Sequence, residues 1–176
     1  DSLTFFELNK HTDPLEIAGF LKPAEEGNDM VVITEAGCPG VADPGAEVVR
    51  IAHKKGVRVV PLSGPSSVIL ALMASGLTGQ NFAFNGYLPV NKTERARAIA
   101  KLEEKAVKER QTQIFIETPY RNDQLVKSVL EACSPDTLLC IAANLTGRDE
   151  FIATKSIGEW KSQIPDLNKQ PAIFLL

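Results

Sequence analysis

The sequence is short of most features that would set it apart from an ordinary globular enzyme. Only three of its 176 residues are cysteine, Cys38, Cys133 and Cys140; an odd count without a CxxC pair gives neither a disulfide framework nor a zinc site. Free thiols and no metal are expected. Long apolar runs are missing as well, since the longest, Val68 to Ala74, falls far below the roughly 18 residues of a membrane span. No charged-then-apolar leader follows Asp1, so a cytoplasmic protein is expected. Neither sign of charge dominates: 19 Lys and Arg against 22 Asp and Glu give a net charge of −3, which argues against a surface coated for phosphate but leaves room for a local basic face. Aromatics reach only 6%, so base-stacking residues interleaved with Lys or Arg are sparse. No GxxxxGK[ST] occurs and the glycine loop lacks the GxGxxG order, which argues against nucleoside triphosphate hydrolysis.

What is present suits a packed α/β protein. Hydrophobic residues make up 44% and charged residues 23%, enough to bury a core in one domain or two small ones. The apolar stretch Leu3 to Leu8 reads as a core strand. Thr12 or Asp13 ahead of Pro14 starts a helix with Ile17, Phe20, Leu21 and Ala24 on one face. Met30 to Thr34 reads as a buried strand, Ala46 to Lys55 as a helix closed by Gly56, Val57 to Leu62 as a strand, and Val68 to Ser75 as a helix closed by Gly76. This alternation predicts parallel strands with helices packed on them.

The pattern changes at Leu77 to Gln80, which places a domain boundary there, with domains at 1–80 and 81–176. Strands are expected at Phe82 to Leu88, Thr112 to Glu117, Leu138 to Leu145, Phe151 to Ile157 and Ala172 to Leu176. Helices are expected from a Thr93 cap to Arg110, over Asp123 to Cys133, and near Trp160. The hairpin across Thr146 to Glu150 makes the second sheet mixed. The segment Lys92 to Arg110 holds seven basic and four acidic residues, so it carries +3 and the rest of the chain −6.

In open α/β sheets, ligands bind where strands end and loops turn into helices. Two such loops stand out. Gly37 to Gly45 combines glycines, which let a ligand approach the backbone and leave amides free, with Pro39 and Pro44, which stiffen the loop. Ser63 to Ser67 sets Gly64 and two hydroxyls at a helix N-terminus, where a carboxylate or ribose hydroxyl is favoured. On spacing alone, tight turns with serine caps fit equally well.

The segment Val31-Val-Ile-Thr-Glu-Ala-Gly-Cys-Pro-Gly-Val-Ala-Asp-Pro-Gly45 resembles the SDAGTPxxxDPG signature of the small-subunit ribosomal RNA cytidine 2′-O-methyltransferases, a branch of the tetrapyrrole methylase superfamily. Val59 to Ser67 is similar to that branch's VPLPGPSA, Ser75 to Leu77 to its SGL, Phe84 to Pro89 to its F-x-GFLP, and Ile116 to Arg121 to its YESPHR. The likeness is collinear from Phe5 to Leu176. It implies two α/β domains of the tetrapyrrole methylase type, the first with a mainly parallel sheet and the second with a mixed sheet, S-adenosylmethionine in the cleft between them, and a homodimer. Carried onto this chain, the cofactor residues implied are Gly37, Cys38, Pro39, Val41, Ala42, Ser66 and Ser67, with Glu117 and Leu145 from the second domain.

Some elements depart from the pattern. Glu35 and Cys38 replace an Asp and a Thr, and Ala143-Asn-Leu-Thr-Gly147 stands where the family has RELTK. The family's first glycine loop has no counterpart, so its segment is expected upstream of Asp1. The 176-residue chain alone is therefore expected to bind cofactor weakly and to transfer no methyl group. The reading is a methyltransferase acting on ribosomal RNA. Its rivals are the same cofactor site serving a small molecule or protein, and a non-catalytic relative that keeps a cofactor or RNA surface. Lys92 and Arg121 are candidates for RNA phosphate, though a solvated helix face and a plain ion pair fit them as well. Glu117 is a candidate base for a ribose proton, or else a strand-end carboxylate that accepts a helix N-terminal hydrogen bond.

Overall fold

A computed structural model describes residues 3–35 and 37–176. The chain divides into two compact units, Asp1–Ser66 and Ser67–Leu176.

Among the described residues the first unit carries three helices, α1 (Pro14–Phe20), α2 (Lys22–Glu25) and α3 (Gly45–Lys54). Asp13 settles the start of α1: its Oδ1 accepts the Leu15 amide at 2.8 Å, with Pro14 in the first turn. The expected single helix to Ala24 is interrupted at Leu21, where Pro23 opens the short α2. Ile17, Leu21, Val48, Ile51 and Ala52 form the core, with Leu8, Phe20, Val32 and Val57 packed against it. Phe6 stacks on Phe20 at 5.0 Å, and Lys55 ties α3 to α2 through Glu25 at 2.9 Å.

The expected strands of this unit are absent among the described residues. Leu3–Leu8, Met30–Thr34 and Val57–Leu62 join no ladder among the described residues, so the expected mainly parallel first sheet is not found among them. Only their inward residues are anchored: Val32 packs on the helices while Val31 and Ile33 stay about three-quarters exposed, at 73% and 74%. Period-2 apolar patterning gives an extended segment, but a strand also needs a neighbour to take its N–H and C=O groups.

The second unit is a five-stranded mixed sheet in the order β1-β2-β5-β3-β4, built from β1 (Phe82–Tyr87), β2 (Thr112–Ile116), β3 (Leu138–Ala143), β4 (Phe151–Ser156) and β5 (Ala172–Leu175). β1 and β2 run parallel; β5 is antiparallel to both β2 and β3, and β4 is antiparallel to β3. The α/β class, the mixed sheet and the β3–β4 hairpin follow the sequence expectation. β1, β2 and β3 therefore point the same way, and their C-terminal ends share one edge of the sheet.

α4 (Ser67–Ser75) covers one face, where Ala71 and Leu72 pack with Ile114, Cys140, Ala142, Ile173 and Leu175. That packing puts α4 with the second unit, so the division falls at 66/67, whereas the sequence pattern drew it after Gln80. The other face carries α5 (Lys92–Glu109), α6 (Asn122–Ala132) and α7 (Ile157–Trp160) over a core containing Ile99, Phe115, Leu125, Val129, Leu139, Ile141 and Phe174. Asn91, not Thr93, caps α5, accepting the amides of Thr93 and Glu94. Trp160 is buried, its indole N–H donating to Leu139 O at 2.8 Å. All three cysteines are free; burial, helped by the nearby Glu103 charge, pushes the Cys133 thiol up to about 12.

Candidate cofactor site

Within the first unit the two loops picked out by sequence come together. The Cys38 thiol donates to Pro65 O at 3.4 Å, joining Gly37–Gly45 to the segment before Ser66 across 27 residues. The first loop is shaped from inside by Asp43, whose Oδ1 accepts the amides of Gly40 at 2.9 Å and Gly45 at 2.8 Å. Partial burial pushes the Asp43 carboxyl up, but hydrogen bonds from Gly40, Gly45 and Thr34 outweigh it and hold the group below the ordinary 3.8. Gly45 is required by space: a Cβ there would sit 2.7 Å from Asp43 Oδ1 and 3.2 Å from both Gly40 N and Val32 Cγ1.

Several loop amides are thus engaged internally rather than free. Gly40 and Gly45 donate to Asp43, and Val41 donates to Cys38 O at 3.1 Å. What faces outward is Gly37, Pro39, Val41 and Ala42, with Cys38 half-buried. Gly37 has φ +76°, a left-handed backbone, and no heavy atom within 4 Å of its Cβ position. Ala42 also lies in that region at φ 53°. Residues 37–45 contain no Lys or Arg, so this surface suits backbone and apolar recognition better than phosphate.

In the second unit, Ser67, Glu117 and Leu145 reach one end of the sheet. Glu117 follows β2 and Leu145 follows β3, on the shared C-terminal edge. Thr154 Oγ1 donates to Ser75 O at 2.7 Å, and Thr112 Oγ1 donates to Thr78 O at 2.8 Å. These bonds hold the C-terminal end of α4 beside the start of β2 and beside β4 at Thr154, which pairs with Cys140 of β3, while Val68 packs in one cluster with Ile116 and Leu145. Ser67 therefore opens α4 at the Glu117 and Leu145 end.

Glu117 is buried, and its Oε1 accepts the Thr118 amide at 2.7 Å and Arg121 Nη2 at 2.6 Å. Arg121 Nε donates to Thr118 Oγ1 at 3.1 Å, so this guanidinium is fastened to its own turn rather than offered wholly to solvent. Lys92 opens α5 on the exposed surface, its Nζ 3.4 Å from Glu131 Oε2. His11 and His53 are both exposed. Among the described residues no cluster of three or more His, Cys, Asp or Glu could hold a metal, and no helix is long and apolar enough to cross a membrane.

Sequence reasoning passed over Asp43, although Asp-Pro-Gly, with the acid two residues before a glycine, is an Asx-turn signal. Asn122 was passed over too. It is fully buried, and its Nδ2 donates to Leu167 O at 3.2 Å and Gln170 O at 2.6 Å.

Residues 8–161 match the family Tetrapyrrole (Corrin/Porphyrin) Methylases. The chain belongs to this family. Among its relatives, Ribosomal RNA small subunit methyltransferase I of Escherichia coli O157:H7 is 31% identical over 154 residues, 88% of this chain and 52% of the relative. This tetrapyrrole methylase thus spans about half the length of that relative. Among solved structures, the methyltransferase CobJ aligns with TM-score 0.62 and 17% identity, covering 96% of this chain and 72% of CobJ. Uroporphyrin-III C-methyl transferase from Thermus thermophilus, complexed with S-adenyl homocysteine, aligns with TM-score 0.53 and 18% identity, covering 92% and 71%. At those identities the structures establish a shared fold.

Proposed function

We propose that this tetrapyrrole methylase is an S-adenosylmethionine-dependent methyltransferase that methylates a ribose 2′-hydroxyl of ribosomal RNA. The observation that carries the reading is the match to the Escherichia coli relative over most of the chain, which includes both loops joined by Cys38 and Pro65. The proposed cofactor residues are Gly37, Cys38, Pro39, Val41, Ala42, Ser66, Ser67, Glu117 and Leu145. They fit that group chemically: a loop without Lys or Arg, with an open left-handed glycine, apolar Val41 and Ala42, and hydroxyls at a helix start. The relative bound to S-adenyl homocysteine points to the same cofactor.

The cofactor supplies a methyl group already activated on a sulfonium. The chain's own contribution is then chiefly alignment of the two reactants, which can account for a large share of the barrier reduction. An attacking ribose hydroxyl must also lose its proton. Glu117 offers Oε2 for this, because Oε1 already accepts two hydrogen bonds. Lys92 and the basic face of α5 are the proposed phosphate contacts. The homodimer and the cytoplasmic location belong to the same proposal.

Calorimetry with S-adenosylhomocysteine on the natural full-length polypeptide tests the cofactor assignment. Binding is expected, and Gly37→Val should weaken it by forcing a β-branched residue into a left-handed backbone. Preferential binding of ATP or NAD, or no effect of Gly37→Val, contradicts it. A second reading, a small-molecule or protein acceptor, is favoured by the uncharged Ala143-Asn-Leu-Thr-Gly147. Salt decides between the two: contact with RNA phosphates predicts affinity falling steeply with salt, and each contact removed should reduce that slope by about one unit.

A further inference from the structure

The turn Asp166–Pro171 lies between the ends of β2 and β3, because β5, which it leads into, is the strand between them. It is bonded to both neighbours. On the β2 side, Lys169 N donates to Pro119 O at 3.1 Å, and the buried Asn122 amide donates to Leu167 O and Gln170 O. On the β3 side, Asn144 N donates to Pro171 O at 2.9 Å, and Asn144 Nδ2 donates to Gln170 Oε1 at 2.8 Å. Gln170 braces the turn itself through Nε2 to Asp166 O at 2.8 Å.

Strained backbone is gathered here. Lys169, Asn144 and Thr146 have φ of 60°, 51° and 65°, conformations that non-glycine residues adopt at a cost. Asn122 Oδ1 is buried without a hydrogen-bond partner among the described residues, which also costs stability. These polar groups fix geometry at the C-terminal ends of β2 and β3.

We propose that Gln170, with Asn122 and Asn144 on either side, is a positioning residue that sets the spacing between the Glu117 and Leu145 strand ends and so governs cofactor affinity. This rests on the assignment of Glu117 and Leu145 to the cofactor made above. Glu117 is joined to the turn through the 117–122 segment, and Leu145 directly follows Asn144. The side-chain contact of Gln170 Oε1 with Asn144 Nδ2 ties the β3 end to a turn that Asn122 ties to the β2 side through Gln170 O, so Gln170 is bonded toward both strand ends.

The test measures S-adenosylhomocysteine affinity and melting temperature for the full-length polypeptide and two variants. Gln170→Leu removes the shorter of the two bonds made by Asn144 Nδ2, leaving only Asp149 O at 3.3 Å, and also loses the bond to Asp166 O; it should weaken binding about fivefold to tenfold, the scale of a lost hydrogen bond. Gln170→Glu keeps an acceptor oxygen for Asn144 and should restore affinity to within about twofold, even though it loses the bond to Asp166 O. A purely structural role would lower the melting temperature of both variants and leave affinity of the folded protein unchanged, which overturns the proposal. Failure of Gln170→Glu to rescue binding also overturns it. If the unsubstituted protein does not bind at all, the cofactor assignment falls and takes this inference with it.

Discussion

The two units treat similar sequence differently. Val31-Val-Ile in the first and Leu139-Cys-Ile-Ala-Ala in the second are both short apolar stretches bounded by turn residues, yet only the latter becomes a strand. β3 has β5 on one side and β4 on the other, and its residues Leu139 to Ala143 are buried. Met30 to Thr34 has helices under its inward residues and no ladder partner among the described residues. Local pattern decides extension; pairing decides whether extension becomes a sheet.

The largest expected difference between the units is in amide exchange. Amides of Val32, Ile33 and Val60 should exchange at least about a thousandfold faster than those of Cys140 and Ile141, because unladdered segments open locally while a central strand opens only with its whole unit. Equal protection would show that the first unit's segments are paired in solution. Next come the aromatic anchors. Phe174 is fully buried and stacked on Phe115 at 5.9 Å, so Phe174→Ala should cost about 3–5 kcal/mol of unfolding free energy. Phe6, stacked on Phe20 but 41% exposed, should cost only about 1 kcal/mol on truncation. Chemical denaturation of both variants makes the comparison.

The sequence made the second unit legible almost element by element, because strands alternating with amphipathic helices there meet every condition of a sheet. In the first unit, patterning gave the helices and both candidate loops but could not show whether three extended segments had partners. Residues whose job is to bond backbone in a loop were the least visible. Asp43, Asn122 and Gln170 have no periodicity to betray them, and Gln170 and Asn144 are 26 positions apart. For Arg121, sequence alone fits a phosphate contact and an ion pair equally, and only the fold brings it to the buried Glu117.

Smaller effects probe the loop of the first unit. Gly45→Ala drives a methyl against the Asp43 carboxylate and should cost about 1–3 kcal/mol, read as a lower melting temperature. Because the folded Asp43 carboxyl is held below its ordinary value, its stabilising contribution is complete above about pH 4 and is lost as pH falls through the folded value. Asp43→Asn should remove that acid-side decline, and melting curves between pH 2 and pH 6 report it. The smallest change expected is Cys38→Ala, at about 0.5–1 kcal/mol for the weak thiol bond to Pro65 O, with Cys38→Ser recovering part of it.

The proposed activity is tested most directly by following a labelled methyl group from S-adenosylmethionine. The natural full-length polypeptide is incubated with small-subunit ribosomal RNA, and the RNA is hydrolysed with alkali. Label in an alkali-resistant dinucleotide, the mark of a methylated ribose 2′-oxygen, is the expected result. Folded protein that leaves the RNA unlabelled, or that puts the label on a base, a protein or a small molecule instead, contradicts it.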